Sequence, residues 1–347
     1  MPSPTCSRRP DRAGALALIA FVSCLVAFAG GARAADPAKV LRISLPDITS
    51  LDPQQGTDLY STRVATALFE GLYQYDYLAS PAKIVPNAAA AMPEIADGGR
   101  TWTIRLKKGL RFADDPVFRG KPRELVAGDF VYALKRWLDP TLKGGGEPAL
   151  TDLVVGARAV VDASKAPGAK FDYDRPIEGL VAVDEHTLRI RTTAVDYTLL
   201  ERLASLPSFA VAREAIEAAG ADVMTKPVGT GPYVLKEWRK GSRIVLEANP
   251  HYRSFAFPTS SDPAHREVVA AMKGVKLPAI ARIEIAIIEE FLPELLSFEK
   301  GALDYVGLGG QVLGRVTQDG KLKPELAARG IRHVRAVAPN LIFTYFN

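Results

Sequence analysis

Residues 229–235, with the sequence GTGPYVL, place two glycines and a proline directly before an apolar run. Glycine allows positive φ or close approach of another backbone segment, and Pro232 fixes its own φ at about −65°. The segment therefore predicts a rigid turn that leads into a β-hairpin. By itself it favours a structural β-turn over a ligand contact. Further turn and strand residues continue the block: Trp238, Gly241, Asn249, Pro250 and Tyr252.

The first 34 residues have the organisation of a secretory signal peptide. Three arginines among residues 8–12 precede an apolar run at residues 13–31, and residues 32–34 form a small-x-small exit. We therefore expect cleavage after Ala34 and a periplasmic mature protein. Two alternatives stay open. One is an uncleaved membrane anchor, because the apolar run is near spanning length, and the other is a lipoprotein attached through Cys24.

Charge and cysteine content exclude several classes of function. The predicted signal peptide holds four arginines and one aspartate, so its removal lowers the net charge from +5 to +2. No basic surface for nucleic acid is indicated. Cys6 and Cys24 both lie in this segment, so we expect neither disulfides nor thiolate chemistry in the mature chain.

Enzymatic motifs are scarce. The four histidines show no zinc-binding spacing, and neither a Gly-x-Ser-x-Gly nor a phosphate-binding Gly-x-x-x-x-Gly-Lys sequence is present. Ser80 and Lys83 match Ser-x-x-Lys, but Pro81 and Pro86 place them in a loop. We therefore expect no catalytic activity, no cofactor and no metal ion. The histidines are expected to be solvated or structural: His186, His251, His265 and His333.

Hydrophobic periodicity predicts a mixed α/β or α+β chain. Helices are expected at residues 62–71, 129–138 and 292–300, and a long loop with some helix at 254–275. Strands are expected at residues 40–45, 101–106, 181–183, 187–191, 243–247, 282–288, 303–307 and 331–337. With 48% hydrophobic residues, a chain of this length can form two lobes.

Five motifs occur in an order that resembles a known family. They are LDP at 51–53, LFEGL at 68–72, WTIRL at 102–106, DFVY at 129–132 and the turn at 229–233. Together they resemble bacterial extracellular solute-binding proteins of family 5, the oligopeptide and dipeptide receptors of ABC importers. The resemblance extends over nearly all of residues 40–346.

The resemblance implies a two-lobed clamshell of the type II periplasmic binding proteins. Lobe I is expected at residues 35–288, with an insertion subdomain at about 62–200, and an incomplete lobe II at 289–347. Because the chain stops inside an apolar strand at 340–347, we expect it to be a fragment of a longer chain.

The implied function is that of a monomeric periplasmic receptor. It would capture a small solute, with a peptide favoured, and deliver it to an inner-membrane permease driven by separate ATPase subunits. An exported hydrolase of peptides or cell-wall fragments is one alternative. A sensory or chaperone protein of the same fold is another.

The segment at residues 54–60 reaches the interlobe cleft in the family, with Thr57, Asp58 and Leu59 at the matching positions. An extended backbone there could form hydrogen bonds with the main chain of a peptide. The alternative is that Thr57 and Asp58 cap the next helix.

Tyr132 and Tyr233 are amphipathic aromatic residues suited to the lining of a cleft. The alternative for both is core packing, with the hydroxyl group satisfied locally.

Two departures from the family pattern also matter. Val126 replaces the usual capping Ser or Thr, so Asp129 or Gly128 must cap the helix. The loop at 114–120 is longer than usual, which leaves a non-peptide ligand open.

Overall fold

The computed structural model describes residues 35–253 and 255–335. Its strands are β1 (Asp36–Leu45), β2 (Tyr73–Tyr75), β3 (Ile84–Pro86), β4 (Glu94–Ala96), β5 (Thr101–Arg105), β6 (Leu180–Asp184), β7 (Thr187–Arg191), β8 (Tyr233–Arg239), β9 (Arg243–Ala248), β10 (Phe255–Ala256), β11 (Lys276–Leu277), β12 (Ile280–Ile287), β13 (Thr317–Gln318) and β14 (Lys321–Leu322). Its helices are α1 (Leu59–Leu68), α2 (Ala127–Leu138), α3 (Pro148–Leu153), α4 (Ala157–Ser164), α5 (Leu199–Arg202), α6 (Arg213–Ala219), α7 (Arg266–Ala271), α8 (Phe291–Glu299), α9 (Gly310–Val316) and α10 (Pro324–Ala327). None of the helices in these two ranges is long and apolar enough to cross a membrane.

The first sheet, which we call the mixed sheet, has the strand order β1-β12-β9-β8. β1 and β12 are parallel, whereas β9 is antiparallel to both β12 and β8. Ile244, Leu246 and Ile285 are buried in its core, where Val64 and Leu68 of α1 pack against the same cluster. The predicted hairpin after residues 229–232 is confirmed as β8–β9.

The second sheet, which we call the antiparallel sheet, has the strand order β4-β5-β7-β6. Trp102, Ile104 and Leu106 are buried, which confirms the alternation expected for this strand. Helix α2 covers the sheet with Phe130 and Leu134, both buried in the same core cluster.

Helix α2 begins as its sequence requires. Val126 has no polar side chain, and the Asp129 carboxylate instead accepts a hydrogen bond from the Val126 amide at 2.9 Å. Arg123 binds both oxygens of that carboxylate, at 2.7 and 3.0 Å. The expectation that Asp129 or Gly128 would cap this helix is therefore confirmed for Asp129.

Two of the predicted strands are wrong. Residues 303–307 and 331–335 have no regular structure. Asp304 explains the first case, because its amide donates to the Arg42 carbonyl at 2.8 Å while its carboxylate accepts from the Arg42 amide at 2.7 Å. The Asp304 carboxylate thus replaces the main-chain carbonyl that a β-ladder would offer to the Arg42 amide. The predicted signal peptide and the predicted apolar strand at 340–347 lie outside the described residues.

Candidate functional site

The carboxyl ends of the parallel strands β1 and β12 lie side by side at one end of the mixed sheet. There the Ile288 amide donates to the Leu45 carbonyl at 3.0 Å, and the Asp47 amide donates to the Glu289 carboxylate at 3.0 Å. Ligands of open α/β sheets bind beyond the carboxyl ends of parallel strands. Residues 46–60, which we call the edge segment, leave the sheet at this point and are the candidate ligand site.

A buried ion pair anchors the edge segment to the insertion. Arg136 of α2 donates to both carboxylate oxygens of Asp52 at 2.7 Å, and neither side chain is more than 3% exposed. Burial works against the charge of Arg136, but Asp52 outweighs this effect and raises the pKa of the guanidinium group. Gln54 accepts from Arg136 at 2.5 Å and donates to the Pro207 and Phe209 carbonyls at 3.0 and 3.1 Å.

Sequence reasoning missed this anchor, although a signal was present. Arg136 stands on the apolar face of α2 among buried residues, where an unpaired charge would be costly. Such a position requires an acidic partner, and Asp52 of the LDP motif is that partner.

The backbone of the edge segment is less extended than predicted. The Gln55 and Gly56 amides donate to the Asp52 carbonyl at 3.0 and 2.9 Å, so residues 53–55 form a turn. Helix α1 already begins at Leu59. The expectation of an extended segment over residues 54–60 is therefore wrong for residues 54–55 and 59–60.

Asp58 caps helix α1. Its carboxylate accepts from the Ser61 amide at 2.7 Å, the Ser61 hydroxyl at 2.5 Å and the Thr49 hydroxyl at 2.6 Å. Partial burial opposes ionisation, but the hydrogen bonds from Ser61 and Thr49 outweigh it and hold the pKa of Asp58 below its ordinary value. The capping alternative is confirmed for Asp58.

Thr57 and Leu59 face the solvent, and Leu59 is 58% exposed. Within the part of the chain that the structure describes, the Thr57 amide and carbonyl have no hydrogen-bond partner. Its methyl group lies against the loop at Gly144, where an added Cβ would come within 2.6 Å of Thr57 Cγ2. The side chain of Thr57 therefore lies against that loop, while its main-chain amide and carbonyl have no partner among the described residues.

The two tyrosines lie elsewhere. Tyr132 is 8% exposed and packs against Tyr173 with 5.2 Å between ring centroids, and Arg213 lies 5.7 Å from the Tyr132 centroid. Burial raises the pKa of Tyr132. This environment favours the core-packing alternative. Tyr233 is half-buried and donates to the Ile280 carbonyl at 3.1 Å, at the opposite end of the mixed sheet from the edge segment.

The turn at residues 229–232 docks on the carboxyl end of α1. The Gly231 amide donates to the Leu68 carbonyl at 2.9 Å, and a Cβ on Gly229 would lie 2.0 Å from that same oxygen. Asn249 closes the turn from the far strand, because its amide side chain donates to the Gly231 carbonyl at 2.9 Å. The glycines thus serve close backbone approach.

Three of the four histidines have local partners. His186 lies 3.1 Å from Glu124, His251 lies 2.8 Å from Asp114, and His265 lies 2.9 Å from the Ser260 hydroxyl. The described residues contain no group of three or more potential metal ligands. Ser80 lies in the bend between β2 and β3.

A family sequence model decides the classification. The model described as "Bacterial extracellular solute-binding proteins, family 5 Middle" matches residues 83–347, most of the chain. The chain belongs to this family.

Two of three similar proteins are named for different ligands. The periplasmic oligopeptide-binding protein OppA of Salmonella typhimurium is 31% identical over 229 residues, which cover 64% of this chain and 38% of that protein. Protein XP55 of Streptomyces lividans is 29% identical over 275 residues, covering 74% and 43%. The probable deoxycholate-binding periplasmic protein YgiS of Escherichia coli is 30% identical over 210 residues, covering 60% and 36%.

Solved structures confirm the expected fold class. The substrate-binding domain of the oligopeptide ABC transporter from Bacillus anthracis aligns with a TM-score of 0.62 at 20% identity, over 80% of this chain and 47% of that one. OppA of Burkholderia pseudomallei aligns with a TM-score of 0.59 at 25% identity, over 81% and 49%. The fold is that of type II periplasmic clamshells. The chain spans about two fifths of the length of the curated relatives and about half of the solved chains.

Proposed function

We propose that this chain is the solute-binding part of a periplasmic ABC importer and that its solute is a short peptide. The observation that carries the proposal is that Thr57 is an exposed residue beyond the carboxyl ends of β1 and β12 whose main-chain amide and carbonyl have no hydrogen-bond partner among the described residues. A peptide main chain can donate to the Thr57 carbonyl and accept from its amide, as an added strand does. Leu59, exposed beside it, offers an apolar contact for a peptide side chain.

Such binding depends little on peptide sequence, because the main chain is common to all peptides. The edge segment is held by the buried Arg136–Asp52 pair and by the Asp58 cap. Little conformational entropy of this segment is therefore lost when the ligand binds. Binding favours a closed form of the two lobes and involves no covalent step.

The domain division is part of the proposal. Lobe I comprises residues 35–288 with its insertion at about 62–200, and lobe II begins at residue 289. The crossing lies where β12 ends at Ile287 and is tied to β1 by the Ile288–Leu45 and Asp47–Glu289 hydrogen bonds. A cleavable signal peptide, a periplasmic monomer, and an inner-membrane permease with separate ATPase subunits complete the proposed assembly.

The test is thermal unfolding of the protein, expressed from its own gene, in the presence of di-, tri- and tetrapeptides. A ligand at 100 times its dissociation constant should stabilise the protein by about 2.7 kcal/mol. The same thermal unfolding measurement with deoxycholate tests a non-peptide ligand, because the relative YgiS is named for deoxycholate. Stabilisation by deoxycholate alone would contradict the peptide proposal, and peptide cleavage during the incubation would support the hydrolase alternative.

Thr57 provides the site-specific test. Thr57→Pro removes the free amide, whereas Thr57→Ala keeps it, and Gly56 tolerates the restriction that proline places on its predecessor. We expect peptide affinity to fall by about tenfold in the proline variant and to change by less than about threefold in the alanine variant. Equal affinities for both variants would remove Thr57 from the site.

A further inference from the structure

A cavity of about 790 Å³ opens at the end of the mixed sheet opposite the edge segment. The amino ends of β1, β8 and β12 line it, together with the carboxyl end of α1 and the β10–β11 pair. Cavities of roughly 300 to 1,000 Å³ with mostly apolar linings hold small organic ligands. Six aromatic side chains line this one: Phe69, Tyr75, Phe209, Tyr233, Tyr252 and Phe255.

The cavity is separate from the proposed peptide site. Ile280 lines the cavity, whereas the edge segment begins beyond Leu45, which is opposite Ile287. At roughly 3.3 Å per residue, the length of β12 from Ile280 to Ile287 places the two sites about 23 Å apart. A small ligand in one site is therefore out of reach of the other.

The buried polar groups of the lining are engaged with one another. The Tyr233 hydroxyl donates to the Ile280 carbonyl at 3.1 Å, and the Tyr252 hydroxyl donates to the Glu70 carboxylate at 3.2 Å. Glu70 is 3% exposed and is paired with Arg253 at 2.6 Å. A polar group of a ligand would lose its water in the interior without a new partner, which is costly. The interior therefore favours a hydrocarbon body.

The opening of the cavity differs from its interior, because three polar residues of the lining are exposed there: Lys39, Thr66 and Gln74. Lys39 alone among the three is charged, and its ammonium group has no ion-pair partner within the part of the chain that the structure describes. The stem of a lysine can lie along an apolar wall while its ammonium group stays in water. A cation thus stands where an apolar interior meets the solvent.

Other charges beside the opening are positive on balance. Lys273 and Lys276 each adjoin a lining residue in the sequence, and both are exposed without an ion-pair partner among the described residues. The carboxylates of Asp36 and Asp76 lie near lining residues and accept from local amides at 3.0 and 2.9 Å. With Lys39, three cations face two carboxylates. The opening therefore favours an anionic group over a cationic one.

We propose that this cavity binds an amphipathic carboxylate, a hydrocarbon body that ends in one carboxylate group. The body lies against the aromatic walls, and the carboxylate stays at the opening, where it pairs with Lys39. Because the opening is exposed, the carboxylate keeps part of its water and avoids the cost of burying a charge. The site is independent of the proposed peptide site.

Isothermal titration of the protein, expressed from its own gene, with three ten-carbon probes below their micelle concentrations tests the chemistry. Decanoate carries the carboxylate, decanamide has the same shape without a charge, and decylammonium is a cation. Because the ion pair is exposed, we expect decanoate to bind about threefold to fivefold more tightly than decanamide, and decylammonium to bind most weakly. The preference for decanoate should shrink as salt rises to about 1 M. Equal or tighter binding of decanamide or decylammonium, or no binding of decanoate, would overturn the proposal.

Lys39→Gln locates the carboxylate. Its affinity for decanamide should match that of the wild type, whereas its preference for decanoate should fall below about twofold. Lys170→Gln, at a lysine that is also exposed and lies outside the cavity lining, is the matched control and should keep the preference. If both glutamine variants keep the preference, the carboxylate does not pair with Lys39 and the proposal fails.

Phe255→Ser locates the hydrocarbon body. Phe255 is a wall that is 41% exposed, so the thermal unfolding midpoint should be unaffected while the affinity for decanoate falls by about tenfold. Phe291→Ser, at a phenylalanine that is 48% exposed and lies outside the cavity lining, is the matched control and should leave the affinity unchanged. If the two serine variants bind decanoate equally well, the probe does not occupy this cavity.

Discussion

The guanidinium group of Arg136 is almost entirely removed from solvent and depends on Asp52 for its charge balance. Replacement by Met in Arg136→Met would leave the Asp52 carboxylate buried and unpaired. We expect a loss of about 3 to 5 kcal/mol in the free energy of unfolding, measured by urea denaturation. Arg105→Met is the matched control, because Arg105 forms an exposed pair with Glu94 at 3.2 Å and should lose less than about 1 kcal/mol. Equal losses would show that burial of the pair is not what matters.

Asp58 links the start of α1 to pH. At neutral pH, Asp58→Ala should cost about 1 kcal/mol, whereas Asp58→Asn retains a capping oxygen and should lose only the part of the cap that depends on the carboxylate charge. The pKa of Asp58 is lower in the folded chain than in the unfolded chain, so the ionised cap stabilises fully above the unfolded pKa of about 3.9. That contribution is lost as pH falls through the folded pKa.

Urea titrations of the wild type and Asp58→Asn at a series of pH values measure this linkage. The stability advantage of the wild type should shrink below about pH 4, because only the carboxylate titrates there. A difference that stays constant down to about pH 2.5 would mean that the cap does not depend on charge.

Among the turns and helices, the docking of residues 229–232 on α1 makes the sharpest steric prediction. Gly229→Ala would place Cβ 2.0 Å from the Leu68 carbonyl oxygen, which belongs to the backbone and cannot rotate away. We expect a loss of about 1 to 3 kcal/mol in thermal unfolding experiments. Gly128→Ala in α2 is the control, because its Cβ would meet no atom closer than 4.0 Å and should be neutral or slightly stabilising. A tolerated Gly229→Ala would show that the turn can separate from α1.

Elements with strong local patterns were predictable from the sequence. The alternation of Trp102, Ile104 and Leu106 and the apolar face of α2 identified a strand and a helix, because burial repeats at the period of the backbone. The LDP motif at residues 51–53 indicated a turn, but the geometry of the turn at residues 53–55 was not predictable in this way. Its geometry is set by Asp52, whose side chain is held by Arg136, a partner that no local pattern connects to it.

The candidate site was predictable only in part. The resemblance picked out Thr57 and Leu59, and both are exposed, but their contact with a ligand stays a prediction. Tyr132 and Tyr233 were chosen for their chemistry alone, and chemistry does not distinguish a cleft from a core. Their ring contacts and hydrogen bonds come from Tyr173, Arg213 and Ile280, residues far away in the sequence.

Across the entire described chain, stability is expected to be uneven. Phe130 and Leu134 of α2 lie in the large core under the antiparallel sheet, whereas Val312 and Val316 of α9 share a small cluster with Leu295. Amides of α9 should therefore exchange with solvent at least about tenfold faster than those of α2 in native-state hydrogen exchange. Equal protection would show that the two regions open as one cooperative unit.

The parallel pairing of β1 with β12 also determines when the mixed sheet can form during folding. Asp47 and Glu289 form a hydrogen bond across 242 residues of chain, so closure of this pair carries a high contact order. Synthesis proceeds from the amino terminus, and β1 is therefore made long before its partner. In an exported chain, the mixed sheet cannot be completed until residue 287 has crossed the membrane. If the chain is exported as proposed, slow closure of this topology would keep it unfolded while it crosses the membrane.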